Sequence, residues 1–148
     1  MSRVNIGINP KYLADQHLIA EHVEITMITG GLRRHNYQIK SIIPSGFCLG
    51  KGHINFFKNK ILYLKNRLDE VKKEMISRGF KVSCNINLNE FPVTLCNNWQ
   101  PVILDSNIIR RRIAEKLRGG KNYRYLRKKI NNIEEFIKTI NESEIYRV

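Results

Sequence analysis

The chain has 148 residues and a formal net charge of +13, with a sequence pI near 9.9. That length suits one domain able to bury a core without disulfides or a structural metal. Nucleic acid is the commonest polyanion to select for such a cationic excess, with an acidic membrane surface as the rival. Against the membrane, no apolar run approaches the roughly 20 residues of a spanning helix, and Arg3, Lys11 and Asp15 interrupt any signal-peptide pattern. A cytoplasmic protein is expected, or a nuclear one in a host with a nucleus. Cys48, Cys84 and Cys96 are odd in number and too widely spaced for a metal knuckle, so they read as reduced thiols. No metal and no cofactor are expected.

In chain order, Asn9-Pro10 is a helix-start signal, and a first helix is predicted from about Pro10 to about Ile28, ended by Gly30-Gly31. A basic stretch, Leu32-Arg33-Arg34-His35, then leads into a loop with Pro44 and Gly46. Phe57, Ile61, Leu64, Leu68, Val71 and Met75 recur at helical steps and predict one long amphipathic second helix that stops before Gly79. From Phe80 to Pro101 no period is sustained, which predicts a long loop of the sort that is often functional. Asp105 or Ser106 should cap a third helix, with Ile109, Ile113 and Leu117 inward and Arg110, Arg111, Arg112, Lys116 and Arg118 largely outward, closed by Gly119-Gly120. Ile130, Ile133, Phe136, Ile137 and Ile140 predict a fourth, shorter helix. The fold class is all-α: a compact single domain of three main helices, long connecting loops and a short C-terminal helix.

Between Arg110 and Lys129 stand ten basic residues, Lys121, Arg124 and Arg127 among them, and one acid, Glu115. Tyr123 and Tyr125 lie within this run, flat rings beside guanidinium groups, a composition suited to phosphate contacts and a stacked or displaced base. The alternative is a solvated cationic helix whose tyrosines plug the core. Zinc-finger spacing is lacking and no helix-turn-helix pattern is evident, so recognition of a lesion or a shape fits better than a base code.

Helical spacing places Leu13, His17, Ala20, Glu21 and Glu24 along one broad face of a first helix that is otherwise apolar at Leu18, Ile19, Val23, Ile25 and Ile28. A helix apolar on most sides is expected to be buried, and polar groups on it are costly unless paired or functional. His17 and Glu24 either satisfy a loop amide or an arginine in the core, or they act chemically. Ser2 favours the second reading: removal of Met1 would leave a serine with a free α-amino group. Such an amine has a pKa of about 7.7–8.0, against about 10.4 for lysine, so near neutral pH much of it is a ready nucleophile able to form an imine with a sugar aldehyde. A nearby carboxylate would shuttle the protons.

These residues resemble the pyrimidine-dimer DNA glycosylases with associated lyase activity, the phage endonuclease V family. One block is Ser2-Arg3-Val4-Asn5 with Leu13-Ala14-Asp15-Gln16-His17-Leu18, Ala20-Glu21 and Glu24. The other is Leu49-Gly50-Lys51-Gly52-His53 with Phe56-Phe57, Lys60, Leu64, Arg67, Glu74 and Arg78-Gly79-Phe80. Weaker similarity continues through Arg112-Ile113-Ala114-Glu115-Lys116 and Tyr123-Arg124-Tyr125, so residues 1–130 read as the glycosylase-like domain and 131–148 as a C-terminal extension, a packing helix.

The resemblance implies a compact helical domain whose residue-2 amine attacks C1′ of the damaged nucleotide, displaces the base, and then cuts the strand by β-elimination. It makes Ser2 the nucleophile, where the family usually has threonine, and Glu24 the acid/base. It puts Arg3, Gln16, His17, Arg112 and Lys116 at the lesion and its phosphates, Arg33, Arg34 and His35 in a basic loop, and Tyr123, Arg124 and Tyr125 in an aromatic segment; the basic run adds Lys121. The implied partner is double-stranded DNA carrying a lesion, kinked so that a nucleotide leaves the stack, bound by a monomer. One departure stands out: Val23 occupies the position of an arginine that the family has immediately before the catalytic glutamate. Loss of such a charge-assisted contact removes about 1.5–3 kcal/mol, while cleavage at an abasic site demands less. Two further readings therefore stand beside the first: an abasic-site lyase or glycosylase for another base lesion, and a DNA-binding relative without turnover.

Overall fold

The computed structural model describes residues 3–120 and 122–148. It is mostly helical, as the periodicity predicts: α1 (Asp15–Arg34), α2 (Gly52–Phe57), α3 (Ile61–Ser77), α4 (Ile103–Gly119) and α5 (Ile133–Glu142). A single two-stranded hairpin, β1 (Arg124–Tyr125) and β2 (Lys128–Lys129), joins α4 to α5. Helix α1 packs on α3, and α5 on α4. Among the described residues no helix is long and apolar enough to cross a membrane.

The first helix differs from expectation at both ends. Asn9 caps only a 3-10 turn, Pro10–Tyr12, by accepting the Lys11 N–H. Leu13 is extended at ψ 143°, and α1 begins after it. At the other end the helix runs straight through Gly30-Gly31. Two helical glycines cost about 1 kcal/mol each relative to alanine, but Ile25, Ile28 and Leu32 continue the buried stripe across them. Packing wins. Arg33 and Arg34 thus form the last helical turn rather than a loop, and the chain leaves the helix through Asn36 and Tyr37 at φ 53° and 60°.

The long second helix is in fact two. Lys60 breaks from helical geometry at φ −127°, ψ 46°. Its ammonium caps the Phe56 carbonyl at 2.8 Å and lies over the Phe56 ring, and Asn97 donates to the Asn59 carbonyl at 2.8 Å. The break lets Phe56 and Phe57 meet Phe47, Tyr63 and Trp99 in an aromatic cluster that a continuous helix would have splayed. Helix α3 ends where predicted, at Gly79, whose φ of 82° favours glycine.

The segment from Phe80 to Pro101 has only two 3-10 turns, Leu88–Glu90 and Val93–Leu95. It is nonetheless anchored by buried Ile86, Phe91 and Leu95, and Glu90 accepts from both Arg33 and Tyr37. For α4, Asp105 sits inside the first turn and accepts the Val102 N–H at 3.0 Å, so Val102 holds the cap position.

Arg110 is a clear correction. It points inward, donating to Ser106 Oγ at 2.8 Å and to the carbonyls of Ile140 and Gly7. One guanidinium therefore joins α4, α5 and the N-terminal segment. Gly7, at φ 73°, makes room for this crossing: a Cβ there would sit 2.7 Å from Ser106 Oγ. Beyond α5, Tyr146 donates its N–H to the Gly7 carbonyl at 2.9 Å and its hydroxyl to Glu70 at 2.8 Å.

The hairpin has no counterpart in the sequence reading, because its turn lacks the usual Asn-Gly. Leu126 and Arg127 nevertheless adopt φ of 51° and 66°. Tertiary bonds supply what the turn residues do not. Asp15 accepts the Arg127 N–H at 2.8 Å, and the Arg127 guanidinium donates to the carbonyls of Arg78 and Gly79 and lies over Phe80.

At the centre, the Arg67 and Glu21 side chains are fully buried and bidentate, at 2.5 and 3.0 Å. Glu21 also accepts from Asn5 at 3.0 Å, and Arg67 donates to the Ile8 carbonyl at 2.6 Å. Removing one partner strands the other charge. Glu21→Ala should cost roughly 3–5 kcal/mol, read as a shift of the urea unfolding midpoint at constant slope; a loss below about 1 kcal/mol would deny the pair that role.

Candidate functional site

The N-terminal segment runs buried along α1 from Arg3 to Ile8. Two tethers fix its path. Asn5 bonds Glu21, one helical turn before Glu24. Val4 donates its N–H to His53 Nε2 at 3.0 Å, so the His53 proton resides on Nδ1, which donates to the Cys48 carbonyl at 3.0 Å. This direction of bonding requires a neutral ring. Burial holds the His53 pKa down at about 4, despite the stabilising bond to Cys48 and with Arg3 and Arg112 nearby adding to the depression.

Glu24 is buried on the same side of α1 as this segment, at 2% exposure. Arg112 reaches towards it from α4. Desolvation and the neighbouring Arg3 charge hold Arg112 below its usual pKa, while Tyr123, Glu24 and Glu115 pull the other way. His17 lies about two turns before Glu24, its ring 5.0 Å from that of Tyr123 at an angle of 49°. Burial first, then Arg112 and Lys116, depress His17 to about 4, and its buried Nδ1 meets no hydrogen-bond partner among the described residues. Arg3, His17, Glu24, Arg112, Lys116 and Tyr123 thus share one electrostatic neighbourhood, linked through Arg112.

Other residues named from the sequence are placed differently. Gln16 is exposed, but both ends of its amide are engaged: Nε2 donates to the Asn122 carbonyl at 2.8 Å and Oε1 accepts the Arg124 N–H at 2.9 Å. It splints Tyr123 against His17. Tyr125 turns away, donating to the Lys11 carbonyl at 2.7 Å with the Arg78 guanidinium against its ring. Arg124 is exposed at the start of the hairpin. Arg33, Arg34 and His35 lie about ten residues beyond Glu24, roughly 15 Å along the helix axis, and Arg33 is taken up by Glu90 at 2.5 Å. Arg34 and His35 are exposed. Ser2 and Lys121 fall outside the described residues.

The first helix is not buried all round. Ile19, Val23 and Met27, which its apolar composition would put in a core, are 36%, 44% and 52% exposed. Sequence reasoning also left Asn5, Glu21, His53 and Arg67 without a role at the site. The motif blocks contain all four; what the sequence could not supply is that Asn5 and Arg67 both meet Glu21, the latter across 46 residues of chain, and that His53 meets Val4 across 49.

The family model of the pyrimidine dimer DNA glycosylases matches residues 1–88. The chain belongs to that family, which implies a DNA glycosylase and a DNA substrate. The matched stretch holds the N-terminal segment, α1, α2 and α3, and hence Glu24, His53 and the Arg67–Glu21 pair. Arg112, Lys116 and Tyr123 approach from the remainder of the chain.

The two histidines set a pH dependence. Each has a folded pKa near 4, below the ordinary 6.5, so the unfolded chain binds more protons between these values. Their stabilising share is present above about pH 6.5 and is lost as pH falls towards 4. For His53 alone the difference is on the order of 3 kcal/mol. Unfolding free energy measured by urea titration should fall steadily over that interval, and His53→Gln should flatten the slope; an identical slope in the variant would remove His53 from the account.

Proposed function

We propose that this chain is a pyrimidine-dimer DNA glycosylase and abasic-site lyase that acts as a monomer on ultraviolet-damaged double-stranded DNA, with the Ser2 α-amine as nucleophile and Glu24 as acid/base. The observation that carries the reading is the buried segment Arg3–Ile8, tied to Glu21 and His53 so that it runs beside Glu24 within reach of Arg112. We assign the catalytic body to residues 1–130 and treat 131–148 as an extension that packs on it, in a protein of the cytoplasm or, in a eukaryotic host, the nucleus.

The chemistry follows from the groups. The amine lone pair bonds C1′ as the bond from C1′ to the pyrimidine nitrogen breaks, and a proton neutralises the departing base. Opening of the sugar gives an imine between the Ser2 nitrogen and C1′. Glu24 then takes a proton from C2′, and the electron pair expels the 3′ phosphate in a β-elimination; water releases the sugar fragment. A buried carboxylate edged by arginines suits this traffic, because low local dielectric strengthens each interaction. Neutral His17, packed against Tyr123, adds no further charge where the α-amine must be unprotonated. Arg3, Arg112 and Lys116 hold phosphates around the lesion, Arg34 and Arg124 extend the cationic surface, and His35 and Lys121 are assigned to DNA contact by the basic stretches of sequence they belong to. Gln16, Arg33 and Tyr125 belong to the same DNA-binding set, and they also hold the hairpin and the Phe80–Pro101 loop in place.

A second reading rests on Val23. With valine beside Glu24, expulsion of an intact base loses a charge-assisted contact while imine chemistry at an abasic aldehyde does not, so the chain would act as a lyase or on another base lesion.

Borohydride trapping separates the readings, since only an imine is reduced to a permanent crosslink. Protein with a verified Ser2 terminus should trap on duplexes carrying either a cyclobutane dimer or an abasic site. Trapping on the abasic duplex alone would favour the second reading, and trapping on neither a binding relative without turnover. Glu24→Gln should keep DNA affinity within a few-fold and lose strand cleavage; normal cleavage would remove Glu24 from the mechanism. An unprocessed residue ahead of Ser2 should abolish the crosslink, whereas persistence would point to a lysine.

A further inference from the structure

Between Gln16 and Arg33 the exposed residues of α1 are Ile19, Val23 and Met27. They recur every fourth residue and so form one stripe, and Val23 directly precedes Glu24. On a chain of net charge +13, this stripe beside the buried carboxylate carries no charge. Cations instead stand at its two ends: Arg112 and Lys116 near His17, and Arg34 and Lys58 around a groove of about 180 Å³ that Met27 also lines. Charges at the ends suit phosphates; the middle suits something apolar.

We propose that Ile19, Val23 and Met27 form the subsite that receives the fused pyrimidine pair of the lesion, and that it selects thymine dimers through their C5 methyl groups. The inference rests on the dimer-glycosylase reading above. Joining the C5 and C6 carbons of two pyrimidines into a four-membered ring destroys their aromaticity and flatness. What remains is a puckered aliphatic surface, bearing two methyl groups when both bases are thymine. Aromatic side chains are the platforms for intact bases, whereas branched and flexible aliphatic side chains match a saturated, uneven surface and are the usual partners of the thymine methyl. Burial of two methyl groups predicts roughly tenfold tighter binding of a thymine dimer than of the otherwise identical uracil dimer.

The test is equilibrium binding of the full chain, at one fixed salt concentration, to four duplexes: thymine dimer, uracil dimer and the two undamaged counterparts. A roughly tenfold preference for the thymine dimer, absent between the undamaged duplexes and reduced towards unity in the surface variant V23T/M27Q, supports the proposal. Equal binding of the two dimers overturns it. So does a preference of the same size in undamaged DNA, which would reflect methyls read in the groove, or a preference that survives in V23T/M27Q. Binding is measured apart from imine trapping: discrimination without trapping would refute the Ser2 chemistry alone, and trapping without discrimination would refute the subsite alone.

Discussion

The buried pair of Arg67 and Glu21 is the constraint on which the rest of the molecule depends. Two opposite charges at zero exposure are tolerable only with their remaining hydrogen-bonding capacity filled, and the groups that fill it are Asn5 and the Ile8 carbonyl. Desolvation thereby becomes a positional device. The N-terminal segment cannot slide along α1 without leaving a buried charge incompletely solvated, and α3 cannot rotate without breaking the same set. Since Glu24 lies one turn beyond Glu21, the pair also sets the height at which the segment passes that carboxylate.

A similar economy governs the other polar groups of α1. Asp15 binds Arg78 and the Arg127 N–H, Gln16 holds the backbone at residues 122 and 124, and Glu21 binds Arg67. These three side chains hold the hairpin and α3 around His17 and Glu24. The helix thus separates its polar residues by task. Asp15, Gln16 and Glu21 bind distant backbone or arginine and so build the walls around the electrostatic neighbourhood that His17 and Glu24 share with Arg112.

Much of this was legible in the sequence. The apolar stripes of α3, α4 and α5 follow ordinary helical periodicity, and the motif blocks around Glu24 and His53 point to the family that residues 1–88 match. What was not legible depends on partners far away in the chain. Gly30-Gly31 looks like a stop because local propensity says so, yet Leu32 is buried at 1% and carries the helix on. Arg110 is indistinguishable by spacing from Arg111 and Arg112, and only the return of α5 makes it a core residue. The Leu126-Arg127 turn has no turn signature because Asp15 holds it from outside. Ile19, Val23 and Met27 mislead in the opposite sense: their hydrophobicity suggests a core, and among the described residues no element covers them.

The pairing of Gly7 with Tyr146 joins segments from opposite ends of the sequence, and Arg110 binds both through Gly7 and Ile140. Such contacts close only after nearly all of the chain is available, and they slow folding by the loop entropy they must overcome. During synthesis the segment that leads to Glu24 emerges before α4 and α5, yet it acquires its restraints at Gly7 from Arg110 and Tyr146. A nascent chain would therefore carry the polar residues of α1 before it carries the contacts that hold the neighbouring segment against them, so the geometry around Glu24 is completed late in folding.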